Sequence, residues 1–122
     1  MIIKLPWPDS SLNPNRKNGR HWGATNSAKD KRKVDARYLT LVEMSKTGYV
    51  PPHGKLPIEM TFCPPDKRRR DMDNLLASMK SDLDGISQAL GLDDQHFDPL
   101  ILKRGEPIKG GCVLVEVGCS TS

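Results

Sequence analysis

Leu56, Ile58, Met60 and Phe62 alternate with Pro57, Glu59, Thr61 and Cys63, the period of two expected of a strand with one buried face. Pro57 limits its pairing at one end, and Pro64 and Pro65 stop it at the other. Further on, Leu75, Leu76, Met79, Leu83, Ile86 and Leu90 fall on one stripe at helical spacing. A core-facing helix is predicted there, with Gly85 as its candidate breaking point and Gly91 as its cap. An earlier helix is expected from Ser27, which with Asp30 resembles a capping box, through Val34, Tyr38, Leu41, Val42 and Ser45. Gly48, Pro51 and Pro52 end it, and Lys29, Lys31, Arg32, Lys33 and Arg37 mark its outer face. Residues 2–5, cut off by Pro6 and Pro8, read as a strand. Residues 100–103 and 113–117 read as two more strands, flanking the turn-rich GEPIKGG as a hairpin.

The order strand, helix, strand, helix, strand, strand defines an α+β fold, a small mixed sheet of about four strands with two helices on one face. A chain of 122 residues makes one domain, residues 1–122. Its few aromatic side chains leave a modest core, so a homodimer that buries the remaining apolar surface is expected. Between the first strand and the first helix runs a loop from Trp7 to about Asn26, rich in Asn, Pro, Gly and basic residues. Structureless loops of that length in compact domains are usually functional or disordered.

Charge adds a partner class to this picture. Nineteen Lys and Arg against fifteen Asp and Glu give a net charge of +4. Residues 1–70 hold fifteen of the basic and six of the acidic residues, and residues 71–122 hold four and nine, so the sign reverses at Asp71. A basic part ahead of an acidic part suits a protein that grips phosphates with one and holds cations with the other, although two solvated surfaces give the same totals. Three cysteines, Cys63, Cys112 and Cys119, form an odd set without metal-ligand spacing and are expected to be reduced thiols. His21, His53 and His96 are scattered, which argues against zinc and against a histidine-based nuclease. No apolar run approaches the roughly 18 residues of a membrane span, and MIIKLPWP lacks the features of an export signal. A soluble cytoplasmic protein is expected.

The chemistry concentrates in KRRRDMDNLLASMK, where Lys67, Arg68, Arg69 and Arg70 directly precede Asp71 and Asp73. Magnesium in phosphoryl-transfer sites takes one or two carboxylates, several waters and substrate phosphate oxygens. Two aspartates at i and i+2 point about 200° apart within a helix, but they can converge if Asp71 lies at the end of the preceding strand or loop and Asp73 caps the helix. Capping is also what an Asp does in any helix. Asp93 and Asp94 offer a third carboxylate, and Asp94 is the preferred candidate. Projected on one continuous helix, Lys80 falls on the same side as Asp73, where it can orient a water or stabilise charge on a phosphate. Asp82 and Asp84 read as surface charges.

Taken together these residues resemble the RusA family of Holliday junction resolvases of bacteria and their phages, over nearly the whole chain. The landmarks are Leu5-Pro6-Trp7-Pro8 followed by Asn15-Arg16, the basic run with Asp71-x-Asp73-Asn74-Leu75, the pair Asp93-Asp94 before a strand, and Lys109-Gly110-Gly111. The resemblance implies a homodimeric crossover junction endodeoxyribonuclease that binds four-way DNA junctions in recombination and repair and nicks two strands symmetrically. It implies Mg2+ as cofactor, with Mn2+ as a substitute, on Asp71, Asp73 and Asp94. The family's lysine four residues after the second aspartate is Ala77 here, and Lys80 stands three residues later. DNA contacts are expected from Asn15, Arg16, Lys17 and Arg20 in the long loop and from Lys67, Arg68, Arg69 and Arg70, with Trp7 or Trp22 stacking on an exposed base. Two other readings remain open: a DNA-binding phage regulator without catalysis, and a magnesium nuclease for flaps or forks.

Overall fold

The computed structural model describes residues 1–8 and 22–118, the side chains of 22–26 excepted. Its strands are β1 (Ile2–Pro6), β2 (Leu56–Cys63), β3 (Phe97–Arg104) and β4 (Cys112–Val117). Its helices are α1 (Trp22–Thr47), α2 (Met72–Ser78) and α3 (Lys80–Leu90), with a short 3-10 turn at Asp94–His96. The expected α+β architecture is present, a four-stranded mixed sheet in the order β1-β4-β2-β3.

The alternation in β2 explains its central place. Ile58, Met60 and Phe62 are fully buried and lie opposite Val117, Val115 and Val113 of β4. Ile3 and Leu5 extend that buried face through β1. Onto the same cluster pack Leu75, Met79, Leu83, Ile86 and Leu90, the helical stripe read from the sequence. The alternate residues form the outer face, where Lys103 of β3 reaches Glu59 of β2 at 3.2 Å.

The two strands around GEPIKGG are not a hairpin. β3 pairs parallel with β2, β4 pairs antiparallel with β2, and β2 lies between them. The connection crosses the end of β2: the Gly105 N–H donates to the Phe62 carbonyl at 2.8 Å and the Ile108 N–H to the Pro64 carbonyl at 2.9 Å. A strand buried on one whole face takes the centre of the sheet, and its neighbours are separated accordingly. The turn residues therefore serve a crossover, which residue type alone does not distinguish from a tight return.

Helix α1 differs from expectation in start and in facing. It begins at Trp22 instead of Ser27. Val34, Tyr38 and Leu41 are 59%, 65% and 46% exposed, whereas Ala36 and Thr40 are fully buried. The small residues face inward because α1 crosses α3 closely: a β-carbon on Gly85 would press into the backbone carbonyl of Lys33. Arg32, expected on the outer face, points inward to Asp82, and Asp82, expected on the surface, is 1% exposed. Gly85 does not divide the second helical region, which breaks at Met79 (φ −102°, ψ 6°) instead. Gly91 ends α3 in the left-handed conformation at φ 71°, as its sequence position suggested.

Gly85→Ala should force the helices apart and cost about 1–3 kcal/mol. Thermal unfolding checks this, and an unchanged Tm would contradict the close crossing. No helix among the described residues is long and apolar enough to cross a membrane.

Candidate active site

Pro64 and Pro65 end β2, and the basic run leads from there to α2. This run is ordered largely by its own members. Asp66 accepts from the Arg68 N–H at 2.9 Å and pairs with Arg70 at 3.0 Å. The Arg68 N–H, more than the neighbouring cations, holds the Asp66 carboxyl below the usual carboxylate range. Arg70 also donates to the Arg68 carbonyl at 2.9 Å, and its guanidinium lies 5.3 Å from the centre of the Trp7 ring. From β3, Arg104 donates to the Arg70 carbonyl at 2.9 Å. Lys67, Arg68 and Arg69 stay exposed, while Arg70 is folded back on the protein. The four cations thus divide into three that face outward and one that organises the turn. Arg104 is a part of this arrangement that the sequence reading missed, since a single Arg at a strand end carries no signal of its own.

Trp7, just past β1, stands edge-on to Phe62, ring centres 6.3 Å apart at 86°. A cavity of about 660 Å³ opens beside it, lined by Trp7, Pro65, Arg68, Arg69, Arg70, Asp71, Asn74 and Ser78. A smaller recess of about 220 Å³ has Trp7, Phe62, Arg70 and Arg104 in its wall. The first cavity joins the basic run to Asp71.

Asp71 occupies the N-cap position of α2 in extended conformation (φ −80°, ψ 136°) without a side-chain capping hydrogen bond. Asp73 lies in the first turn, where its Oδ1 accepts from the Asn74 N–H at 3.0 Å. The cap therefore falls two residues earlier than the sequence reading placed it, and both carboxylates are exposed. Each is favourably placed at the positive end of a helix.

Asp93 caps the 3-10 turn, accepting from the Gln95 N–H at 3.2 Å. That backbone bond holds its carboxyl below the ordinary range, helped by a hydrogen bond with Asp94. The same bond is the main cause that raises Asp94, with Asp93 and Asp84 adding repulsion and Lys80 opposing. Lys80 is the first residue of α3, so the projection from Asp73 along one unbroken helix does not apply. Its charge acts on Asp94, and it lines a recess with Lys29, Ala77, Ser81 and Asp84.

Exposed carboxylates are hard oxygen donors suited to magnesium. Among the described residues no three His, Cys, Asp or Glu stand together as a ready cage. A magnesium ion seldom needs one, because waters and substrate phosphates complete its shell, and the exposed carboxylate of Asp71 in the cleft wall fits that pattern. Asn15, Arg16, Lys17 and Arg20 lie outside the described residues, as do Cys119 and the side chain of Trp22. Cys63 and Cys112 are free thiols facing one another across β2 and β4.

Fold and site together define a small α+β protein with an arginine-lined cleft that has Asp71, at the start of α2, in its wall. No family model matches the chain. It is 33% identical to an uncharacterized protein of Xylella fastidiosa, over 94% of this chain and 74% of that protein, and belongs to the same family. It is also 26% identical to the crossover junction endodeoxyribonuclease RusA of Enterobacteria phage HK97, over 93% of this chain and 89% of that one.

Proposed function

We propose that the protein is a magnesium-dependent endodeoxyribonuclease that resolves four-way DNA junctions by paired nicks. The observation that carries this reading is the cleft in which Arg68 and Arg69 share a wall with Asp71, so that a phosphate held by the arginines lies beside a carboxylate. The likeness to the phage resolvase along nearly the whole chain points to the same activity. Asp71 and Asp73 would hold the ion, with Asp94, whose carboxyl feels the charge of Lys80 at the start of α3, as the third oxygen donor. A magnesium ion there supplies Lewis-acid chemistry for phosphodiester hydrolysis, and manganese substitutes for it. Lys67, Arg68 and Arg69 hold the backbone, joined by Asn15, Arg16, Lys17 and Arg20 of the long loop, and Arg70 keeps the turn in shape. Lys80 stabilises negative charge near Asp94.

A panel of labelled four-way junction, flap, fork and linear duplex, each with magnesium or with chelator, tests this. Cutting confined to the junction and lost with chelator is expected. Preference for flap or fork would redirect the substrate, and tight binding with no cutting in any arm would favour a regulator. For the lysine, Lys80→Ala should slow cutting far more than it weakens junction binding. Equal losses would make Lys80 a phosphate contact only.

Two strands call for two sites, and the exposed stripe Val34, Tyr38 and Leu41 on α1 offers the apolar surface for a homodimer. Tyr38→Glu should turn a dimer into a monomer in sedimentation while leaving the Tm nearly unchanged, because the side chain lies outside the core. A wild-type monomer would contradict this assignment.

A further inference from the structure

Trp7 has surroundings that a core tryptophan does not need. It is half-buried and lines the walls of both recesses, one of about 660 Å³ and one of about 220 Å³. Phe62 fixes its edge, and the guanidinium of Arg70 stands over its ring. Gly111 (φ 68°) packs against the base of the side chain: a β-carbon there would stand 3.0 Å from the Trp7 Cβ and 2.9 Å from Pro65. The indole thus has an aromatic neighbour at its edge and a cation over its ring. The larger cleft it lines also has Arg68, Arg69, Asn74 and Ser78 in its wall. An oriented aromatic ring beside outward guanidinium groups matches the way single-stranded nucleic acid is held, bases stacked on aromatic side chains and phosphates on cations.

We propose that Trp7 is the platform of a nucleobase subsite, in which one unpaired base of the bound strand stacks on the indole within the arginine-lined cleft. This rests on the reading of the protein as one that acts on DNA, and it adds that the site takes a base as well as a backbone. The flanking phosphates lie on Arg68 and Arg69, which places the strand alongside Asp71. A strand whose bases are all paired cannot present one to Trp7, so the subsite favours DNA opened at a branch point.

Protein in which Trp22 is replaced (Trp22→Phe) leaves Trp7 as the sole fluorescent tryptophan of the two in the sequence. It is titrated without magnesium with a short single-stranded thymidine oligonucleotide, and with an abasic strand of equal length and charge. Quenching by the base-bearing strand and little by the abasic one is expected. Trp7→Leu should weaken the base-bearing strand about 5- to 100-fold, the span seen for one lost stacking contact, and leave the abasic strand unchanged. Trp7→Phe should restore most of the loss. Equal quenching by both strands, or equal loss of both on Trp7→Leu, would overturn the proposal. Because no cutting is read, the two claims fail separately: base-dependent quenching without junction cleavage refutes only the nuclease, and cleavage without it refutes only the subsite. If neither strand binds, the subsite falls together with DNA binding.

Discussion

Arg32→Ala is expected to destabilise the protein by about 3–5 kcal/mol at neutral pH, the cost of stranding one member of a buried ion pair. Arg32 of α1 grips Asp82 of α3 with two contacts, Nε to Oδ1 at 2.9 Å and Nη2 to Oδ2 at 2.8 Å, and their side chains are 12% and 2% exposed. The same Nη2 touches the Met79 sulfur at 3.3 Å, at the residue where α2 gives way to α3. A domain of this size has about 5–15 kcal/mol of total stability, so the loss is a large share of it. The deficit should also depend on pH in a definite direction. Burial, against the opposing pull of Arg32, pushes the Asp82 carboxyl up to about 6, and without Arg32 it rises further. A folded-state pKa above the unfolded one favours the folded protein at low pH and loses that advantage as pH rises through the folded value. The variant should therefore be weakest at high pH and recover as pH falls, beginning above the value of about 6 that the buried carboxyl has with Arg32 in place. Urea unfolding on either side of that pH checks both statements. A deficit under 1 kcal/mol at neutral pH, or one that grows on acidification, would mean that the pair is not what joins α1 to α3.

Asp73→Asn is expected to lower junction cutting at least about 100-fold while junction binding stays within a few-fold. An amide keeps the shape of the side chain, its place in the first turn of α2 and its ability to accept from the Asn74 N–H. What it loses is the charge that makes a carboxylate a good magnesium ligand, and a loss of roughly 3 kcal/mol in transition-state stabilisation is about two powers of ten in rate. Binding is spared because the outward cations of the basic run are untouched. Removing a negative charge from the proposed DNA site should tighten binding at low salt. Cutting that survives the substitution would remove Asp73 from the site, and parallel loss of cutting and binding would make it a structural residue.

The parts of the fold legible in the sequence were those where one face decides burial. The alternation of β2 and the stripe from Leu75 to Leu90 place their residues in the core as read. Helix α1 was misread in facing because its larger apolar residues were assumed to be the buried ones. Close crossing at Gly85 instead puts the small Ala36 and Thr40 at full burial, and the longer Val34, Tyr38 and Leu41 turn outward. Periodicity reports that a helix has faces; it does not say which neighbour permits how near an approach. Likewise Arg32 and Asp82 lie fifty residues apart, and no local pattern marks a charge whose partner is that distant. Turn chemistry around Gly105 to Gly111 showed that the chain reverses there but not that β2 intervenes.

In the candidate site, the composition of Lys67 to Asp73 was informative because cations and carboxylates follow one another in the chain. Arg70 and Arg104 were not separable from the rest by sequence, since only geometry shows one folded over Trp7 and the other holding its carbonyl. The break at Met79 also means that Lys80 cannot be projected from Asp73 along one helix, and its charge acts on Asp94.

The most direct test is strand-resolved cleavage of a four-way junction by the wild-type protein with magnesium, each of the four strands labelled in turn. Nicks at matching positions in two opposed strands, appearing together, are predicted. Stable binding of the junction with all four strands left intact would contradict the account.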